Sequence, residues 1–299
     1  MNTVMELQQV TKNYGNGKGI FDVTFSVKEG EVFGYLGPNG AGKTTTIRQL
    51  LGFIHPDQGS CQIFGKDCFH EAGKIQEKVG YLAGELAFME DMTGMNFLKF
   101  IAELKGMKDT VHMEELMEYF ELNPSGKIRK MSKGMKQKIG IVCAFMNHPK
   151  AVILDEPTSG LDPLMQNKFV ELILEEKKKG TTILMSSHIF EEIEKTCDRT
   201  AIIRDGKIAA IEYMDTLAEK KKKIYTVTLK NDEEARKLIK ETGLDIRDIH
   251  KNKVQLLVRN NVPEILKIIA AYEPIDLEVK TQSLEELFLH YYGKDGENK

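Results

Sequence analysis

The stretch Gly37-Pro38-Asn39-Gly40-Ala41-Gly42-Lys43-Thr44 fits the phosphate-binding pattern G-x-x-x-x-G-K-[ST] at every specified position. Such a loop must curl until successive backbone N–H groups point at one anion. Gly37, Gly40 and Gly42 allow this because they carry no Cβ. Lys43 adds a compact positive charge for β- and γ-phosphates, and the Thr44 hydroxyl suits Mg²⁺. Residues 31–36 ahead of the loop read as a buried strand. Behind it, Ile47, Leu50 and Leu51 recur at helical spacing, so the positive end of a helix dipole faces the same anion. This strand–loop–helix order predicts a nucleoside triphosphate site.

The 299 residues suffice for two domains that each bury a core. Lysine and arginine number 42 against 45 aspartates and glutamates, a net charge of −3. A general nucleic-acid binder needs a basic footprint, so no nucleic-acid partner is expected. Cys61, Cys68, Cys143 and Cys197 lack metal-ligand or redox spacing and read as the reduced thiols of a cytosolic protein. No signal peptide opens the chain. Its longest apolar run, around residues 139–146, falls well short of the roughly 18 needed to span a bilayer, so a soluble protein is expected.

Residues 5–10 and 20–27 alternate apolar and polar, with Phe21, Val23, Phe25 and Val27 on one face, which predicts a small antiparallel sheet before the loop. Between them Tyr14 sits in a glycine-rich turn with a ring face free for stacking; on its residues alone it is an ordinary loop tyrosine. Residues 61–64, followed by Gly65-Lys66-Asp67, predict another strand and turn. From residue 80 to about 147 the periodicity becomes helical, as in Phe97, Phe100, Ile101 and Leu104, which predicts a helical insert. It ends in Met131-Ser132-Lys133-Gly134-Met135-Lys136-Gln137, a turn opening a new helix that reads as a second anion site or as a routine N-cap.

Residues 151–154 are continuously apolar and run into Asp155-Glu156. An all-apolar run is the mark of a buried parallel strand, and ligands bind at the carboxyl ends of such strands. Asp155 and Glu156 are therefore expected to meet the phosphate loop, Asp155 holding Mg²⁺ through its water shell and Glu156 accepting a proton from the attacking water. The run Lys177-Lys178-Lys179 before Gly180 reads as a helix end and not a binding patch. Residues 181–186 form another buried strand, with His188 beyond its carboxyl end on the same sheet edge. Asp205-Gly206 marks a hairpin within 201–210. Lysines at 220–223 mark a composition shift. Strand 224–230, helix 232–241, strands 245–250 and 253–258, helix 262–271, strand 275–280 and a closing helix from Ser283 then follow a ferredoxin-like order.

Taken together, residues 1 to about 215 resemble the nucleotide-binding subunit of an ABC transporter. Residues 37–45, which add Thr45, match the P-loop; 152–156 match the Walker B strand, Ser159-Gly160-Leu161-Asp162 the D-loop and His188 the switch histidine. Ser132-Lys133-Gly134-Met135 is similar to the signature sequence, with Lys133 and Met135 where that motif commonly has glycine and glutamine. Tyr14 lies where the family stacks a ring on adenine. The finishing Ser283-Leu284-Glu285-Glu286-Leu287-Phe288 is similar to the extension of export-type, ABC-2-like subunits that pair with separate permease chains.

The resemblance implies an α/β P-loop ATPase core with a parallel sheet, an N-terminal antiparallel β subdomain and a helical insert (80–147), all within 1–215. A linker at 216–223 and a small ferredoxin-like α+β domain at 224–299 would follow. It implies ATP and Mg²⁺ as cofactors, an integral membrane permease as partner, and a place on the cytoplasmic face of the cell membrane. A second copy, or a paralogous ATPase subunit, would complete a sandwich of two ATP molecules, each between one P-loop and the opposite signature turn. Ser132 and the Gly134 N–H would touch the γ-phosphate across that interface, Asp162 would link the two sites, and His188 would contact the γ-phosphate. One departure stands out. The family's lid glutamine falls on Gly84, which makes neighbouring Glu85 a candidate Mg²⁺ ligand. The alternative, a soluble ABC-type ATPase acting on DNA or ribosomes, usually carries a long coiled-coil insert or tandem cassettes, and this sequence has neither.

Overall fold

The computed structural model describes residues 2–258 and 262–287. The chain forms two compact units that divide between Met214 and Asp215.

In the first unit, β1 (Thr3–Asn13) and β2 (Gly19–Lys28) pair antiparallel, with Leu7 opposite Phe25. β3 (Val32–Leu36) leads through the phosphate loop into α1 (Lys43–Leu50). β4 (Gln58–Ile63) and β5 (Lys66–Asp67) complete a small sheet of order β2-β1-β4-β5. After α2 (Ala72–Gln76) comes β6 (Val79–Leu82), then α3 (Gly94–Leu104), α4 (Val111–Tyr119) and α5 (Lys133–Phe145). β7 (Ala151–Asp155), α6 (Pro163–Lys178), β8 (Thr182–Ser187), α7 (Phe190–Thr196), β9 (Arg199–Arg204) and β10 (Lys207–Tyr213) follow.

The large sheet runs β10-β9-β3-β8-β7-β6, parallel from β9 to β6 with β10 antiparallel at its edge. Every residue of β3 and β7 is buried, because an inner parallel strand covered on both faces has no solvent side. The two sheets share one core, in which Phe25 stacks on Phe33 with ring centroids 5.1 Å apart. Buried Tyr35 ties β3 to α1 through a 3.0 Å hydrogen bond with Thr46. Stranding either hydroxyl would cost about 1–3 kcal/mol. At the β9–β10 hairpin Asp205 and Gly206 both have positive φ, 49° and 75°, as a type I′ turn requires.

β6 corrects the expected helical insert, which begins after this strand and not at residue 80. Four residues are too few to display a period, yet Val79, Gly80 and Leu82 are buried beside β7. Helix α5 lies directly on them, and a Cβ on Gly80 would come within 2.0 Å of the Ala144 carbonyl oxygen. All four cysteines are free. Burial pushes the Cys61, Cys143 and Cys197 thiols up to about 12, which leaves them protonated and unreactive near neutral pH.

Part of the segment expected to be a linker is helical: α8 (Met214–Lys220) has Met214 and Leu217 buried three residues apart, a helical spacing that the following lysines obscure. β11 (Lys223–Thr228), α9 (Asp232–Thr242), β12 (Ile246–His250), β13 (Lys253–Val258), α10 (Val262–Ala270) and β14 (Asp276–Thr281) build the second unit. Its sheet has the order β12-β13-β11-β14 with all neighbours antiparallel. Tyr225, Val227, Val254 and Leu256 from the sheet meet Leu238 and Ile269 from the helices in its core. Asn231 caps α9 and left-handed Gly243 ends it. Residues 284–287 are helical behind Ser283, which accepts the Glu286 N–H; Phe288 lies outside the described residues. Among the described residues no helix is long and apolar enough to cross a membrane.

Candidate active site

The phosphate loop joins the carboxyl end of β3 to α1, and its glycines are forced by space as well as by backbone. A Cβ on Gly37 would sit 2.4 Å from the Ile203 carbonyl oxygen; Gly42, at φ +109°, would drive one to 2.5 Å from Ile20 Cγ2. The glycine-rich turn that carries Tyr14 runs into the same place, with the Gly19 carbonyl oxygen beside Gly42. Tyr14 itself is exposed.

Lys43 is 6% exposed, and its Nζ donates to the carbonyl oxygens of Gly37 (2.6 Å) and Pro38 (3.2 Å). The same ammonium lies 3.0 Å from Glu156 Oε1. Thr44 Oγ1 donates to Asp155 Oδ2 at 2.8 Å, while Ser186 Oγ donates to Asp155 Oδ1 at 2.5 Å. Glu156 has a φ of +51°, strain of about 1–2 kcal/mol for a non-glycine residue, and its N–H is held by Ser186. Its Oε2 lies 2.5 Å from His188 Nδ1. One carboxylate therefore sits between a buried ammonium and an imidazole.

Thr44, Gly84, Glu85, Asp155, Glu156 and His188 line one cavity of about 320 Å³. Burial, reinforced by Asp155, pushes the phenol of Tyr81 on its wall up to about 12, so that group stays protonated. The Thr44 hydroxyl and Asp155 carboxylate are hard oxygen donors brought within hydrogen-bond distance of each other, a set that fits Mg²⁺. Gly84 leaves room at this wall. A Cβ there would start 3.1 Å from Asp155 Oδ2.

Ser132, Gly134, Asp162 and Tyr14 are not among the residues lining this cavity. Ser132 Oγ caps α5 by accepting the Met135 N–H (3.2 Å), and Asp162 caps α6 by accepting the Met165 N–H (3.0 Å) ahead of Pro163. Three contributors escaped the motif reading. Ser186 grips Asp155, and Gln137 Nε2 donates to the Pro157 carbonyl oxygen at 2.7 Å. Buried Glu192 accepts hydrogen bonds from Thr158 and from Ser187 (2.8 Å), tying the segments that follow Glu156 and precede His188; burial raises its pKa. A polar pair, Ser186-Ser187, at the end of an apolar strand was the available signal.

Residues 20–159 match the ABC transporter family model. The chain is 33% identical to the bacitracin transport ATP-binding protein of Bacillus licheniformis, over 98% of each sequence. The chain belongs to the family of ABC transporter ATP-binding proteins. The linearmycin resistance ATP-binding protein of Bacillus subtilis is 30% identical over 97% of this chain and 99% of its own length. A solved ATP-binding subunit of an ABC transporter superposes with a TM-score of 0.66 at 33% identity, covering 73% of this chain and 93% of that one. A dimeric bacterial ABC transporter cassette, 23% identical with a TM-score of 0.64 over 70% of this chain and 98% of its own, shares the fold. This ABC protein binds ATP and hydrolyses it, with Mg²⁺ as the partner ion.

Proposed function

We propose that this ABC ATPase powers a membrane exporter by closing on ATP as a pair of subunits. The observation that carries the reading is the Lys43–Glu156–His188 contact set beside Thr44 and Asp155, in a chain related end to end to a bacitracin transport ATP-binding protein. Lys43 and the P-loop N–H groups bind the phosphates, and Tyr14 stacks on adenine. Mg²⁺, held by Thr44 and Asp155, would supply charge neutralisation at the β- and γ-phosphates. Glu156 takes a proton from water as the water oxygen attacks the γ-phosphorus and ADP leaves with the bridging electron pair. His188 orients that carboxylate and meets the γ-phosphate. Ser132 and the Gly134 N–H face the partner subunit's nucleotide, and Asp162 links the two sites.

The permease docks beside the active site. There a groove of about 720 Å³ is walled by apolar Phe53, Leu86 and Phe97 and shares Tyr81 and Glu85 with the nucleotide cavity. Docking would place the ATPase on the cytoplasmic face of the membrane. Purification of the tagged full chain from native membranes in mild detergent tests this. A polytopic membrane protein should copurify and stimulate ATP hydrolysis. Recovery of ribosomes or DNA in its place would favour the non-transport alternative.

Glu85 is exposed at the junction of the two cavities, which suits it to fill the Mg²⁺ position left by the glycine at 84. Like charge from Asp155 and Glu156 opposes this unless the metal compensates. Glu85→Ala is expected to raise the Mg²⁺ concentration for half-maximal ATPase at saturating ATP, while Glu85→Gln stays near wild type. An unchanged Mg²⁺ response with loss only of permease stimulation would make Glu85 a coupling residue.

A further inference from the structure

Lys133 stands where the signature pattern carries glycine, and the mechanism above makes no use of it. Its surroundings do. The first turns of α5 grip the loop after Glu156 at three points. Gln137 holds the Pro157 carbonyl oxygen at 2.7 Å. Gly134 lies so close that a Cβ on it would be 2.8 Å from the Gly160 carbonyl oxygen. The stem of Lys133 covers left-handed Gly160, where a Cβ would meet Lys133 Cγ at 2.8 Å and Cδ at 2.9 Å, and Lys133 Nζ donates to Ser159 Oγ at 2.9 Å. Ser159 in turn lines the nucleotide cavity with Glu156 and His188.

We propose that Lys133 is a positioning residue that couples the two nucleotide sites of the assembled pair. The inference rests on the two-subunit reading, in which Ser132 and Gly134 serve the partner's nucleotide. The turn that would touch the partner's γ-phosphate is fastened by its own next residue to the wall of its own subunit's cavity. A shift of Ser159 in one site therefore moves the anion-binding turn presented to the other, and linkage makes the effect reciprocal. Of the three fastenings, those of Gly134 and Gln137 end on main-chain carbonyl oxygens of the loop. Lys133 offers an exposed contact between two side chains, which can be removed without disturbing the fold.

The test compares four proteins in a Glu156→Gln background: the parent, Lys133→Met, Ser159→Ala and the double variant. Lys133→Met keeps the stem over Gly160 and deletes the ammonium. Monomer affinity of the Lys133→Met protein for ADP should stay within about twofold of the parent. The ATP concentration for half-maximal dimerisation, followed by analytical ultracentrifugation with Mg²⁺, should rise about three- to tenfold in either single variant. The double should be no worse than either single, because both remove one contact. With Glu156 restored, Lys133→Met should also lower the Hill coefficient for ATP. Parent-like dimerisation by Lys133→Met would overturn the proposal. So would a defect in Lys133→Met that Ser159→Ala lacks, since Lys133 would then act as a charge toward the phosphates. A parent that stays monomeric removes the paired reading, and this proposal falls with it.

Discussion

Replacing Glu156 with glutamine should cut ATP hydrolysis by about 10²- to 10⁴-fold, the usual worth of a positioned general base, while ATP binding survives. The substitution is nearly isosteric, and the grip of Ser186 on the residue 156 N–H does not depend on the side chain. What disappears is an acceptor for the proton of water. A negative charge 3.0 Å from Lys43 is lost as well, which eases the approach of a triphosphate to the same ammonium. ATP should then bind, close the pair and remain unhydrolysed. Size-exclusion chromatography with Mg²⁺ and ATP should reveal a stalled dimer. If this variant elutes only as monomer, the sandwich arrangement does not describe the protein; if it turns over at the wild-type rate, Glu156 is not the base.

The parts of this site that could be read from sequence are those where one local pattern carries both structure and chemistry. The glycines of the phosphate loop announce a curled backbone, and the apolar run at 151–154 announces a strand buried on both faces, so Asp155 and Glu156 had to emerge at a ligand-binding edge. The element order of the second unit was legible for the same reason, since alternation and helical spacing take turns there between signals such as Asn231 and Gly243. β6 was not legible, because Val79–Leu82 is too short to show a period and is defined by its neighbour β7. Helix α8 was hidden by the lysines beside it. The side chains that tune the site were invisible for another reason: Ser186 lies 31 residues from Asp155, and Glu192 lies 34 from Thr158, so only the folded sheet makes them partners. Ser132 and Asp162 pose the opposite case. Their capping of α5 and α6 is local and visible, whereas a role across a subunit interface depends on a second chain.

Lys43→Ala is expected to abolish hydrolysis and to weaken nucleotide binding by about 30-fold or more, the range for truncating one partner of a buried charge pair. The ammonium is 6% exposed and surrounded by oxygen, with the Gly37 and Pro38 carbonyls and Glu156 Oε1 all within 3.2 Å. Alanine leaves those oxygens facing an incoming triphosphate with no cation between them, so loop dipoles and the negative charge of Glu156 both oppose the ligand that the loop N–H groups attract. Lys43→Arg is not expected to restore the site, because a planar guanidinium does not match the shape of the compact ammonium that these three oxygens surround. The variants must first be judged folded, by an unchanged melting transition in the absence of nucleotide. Titration with ATP, with and without Mg²⁺, then decides the matter. Wild-type affinity in a folded Lys43→Ala protein would mean that the phosphates bind elsewhere, and the cavity formed by Thr44, Asp155, Glu156 and His188 would lose its assignment as the nucleotide site.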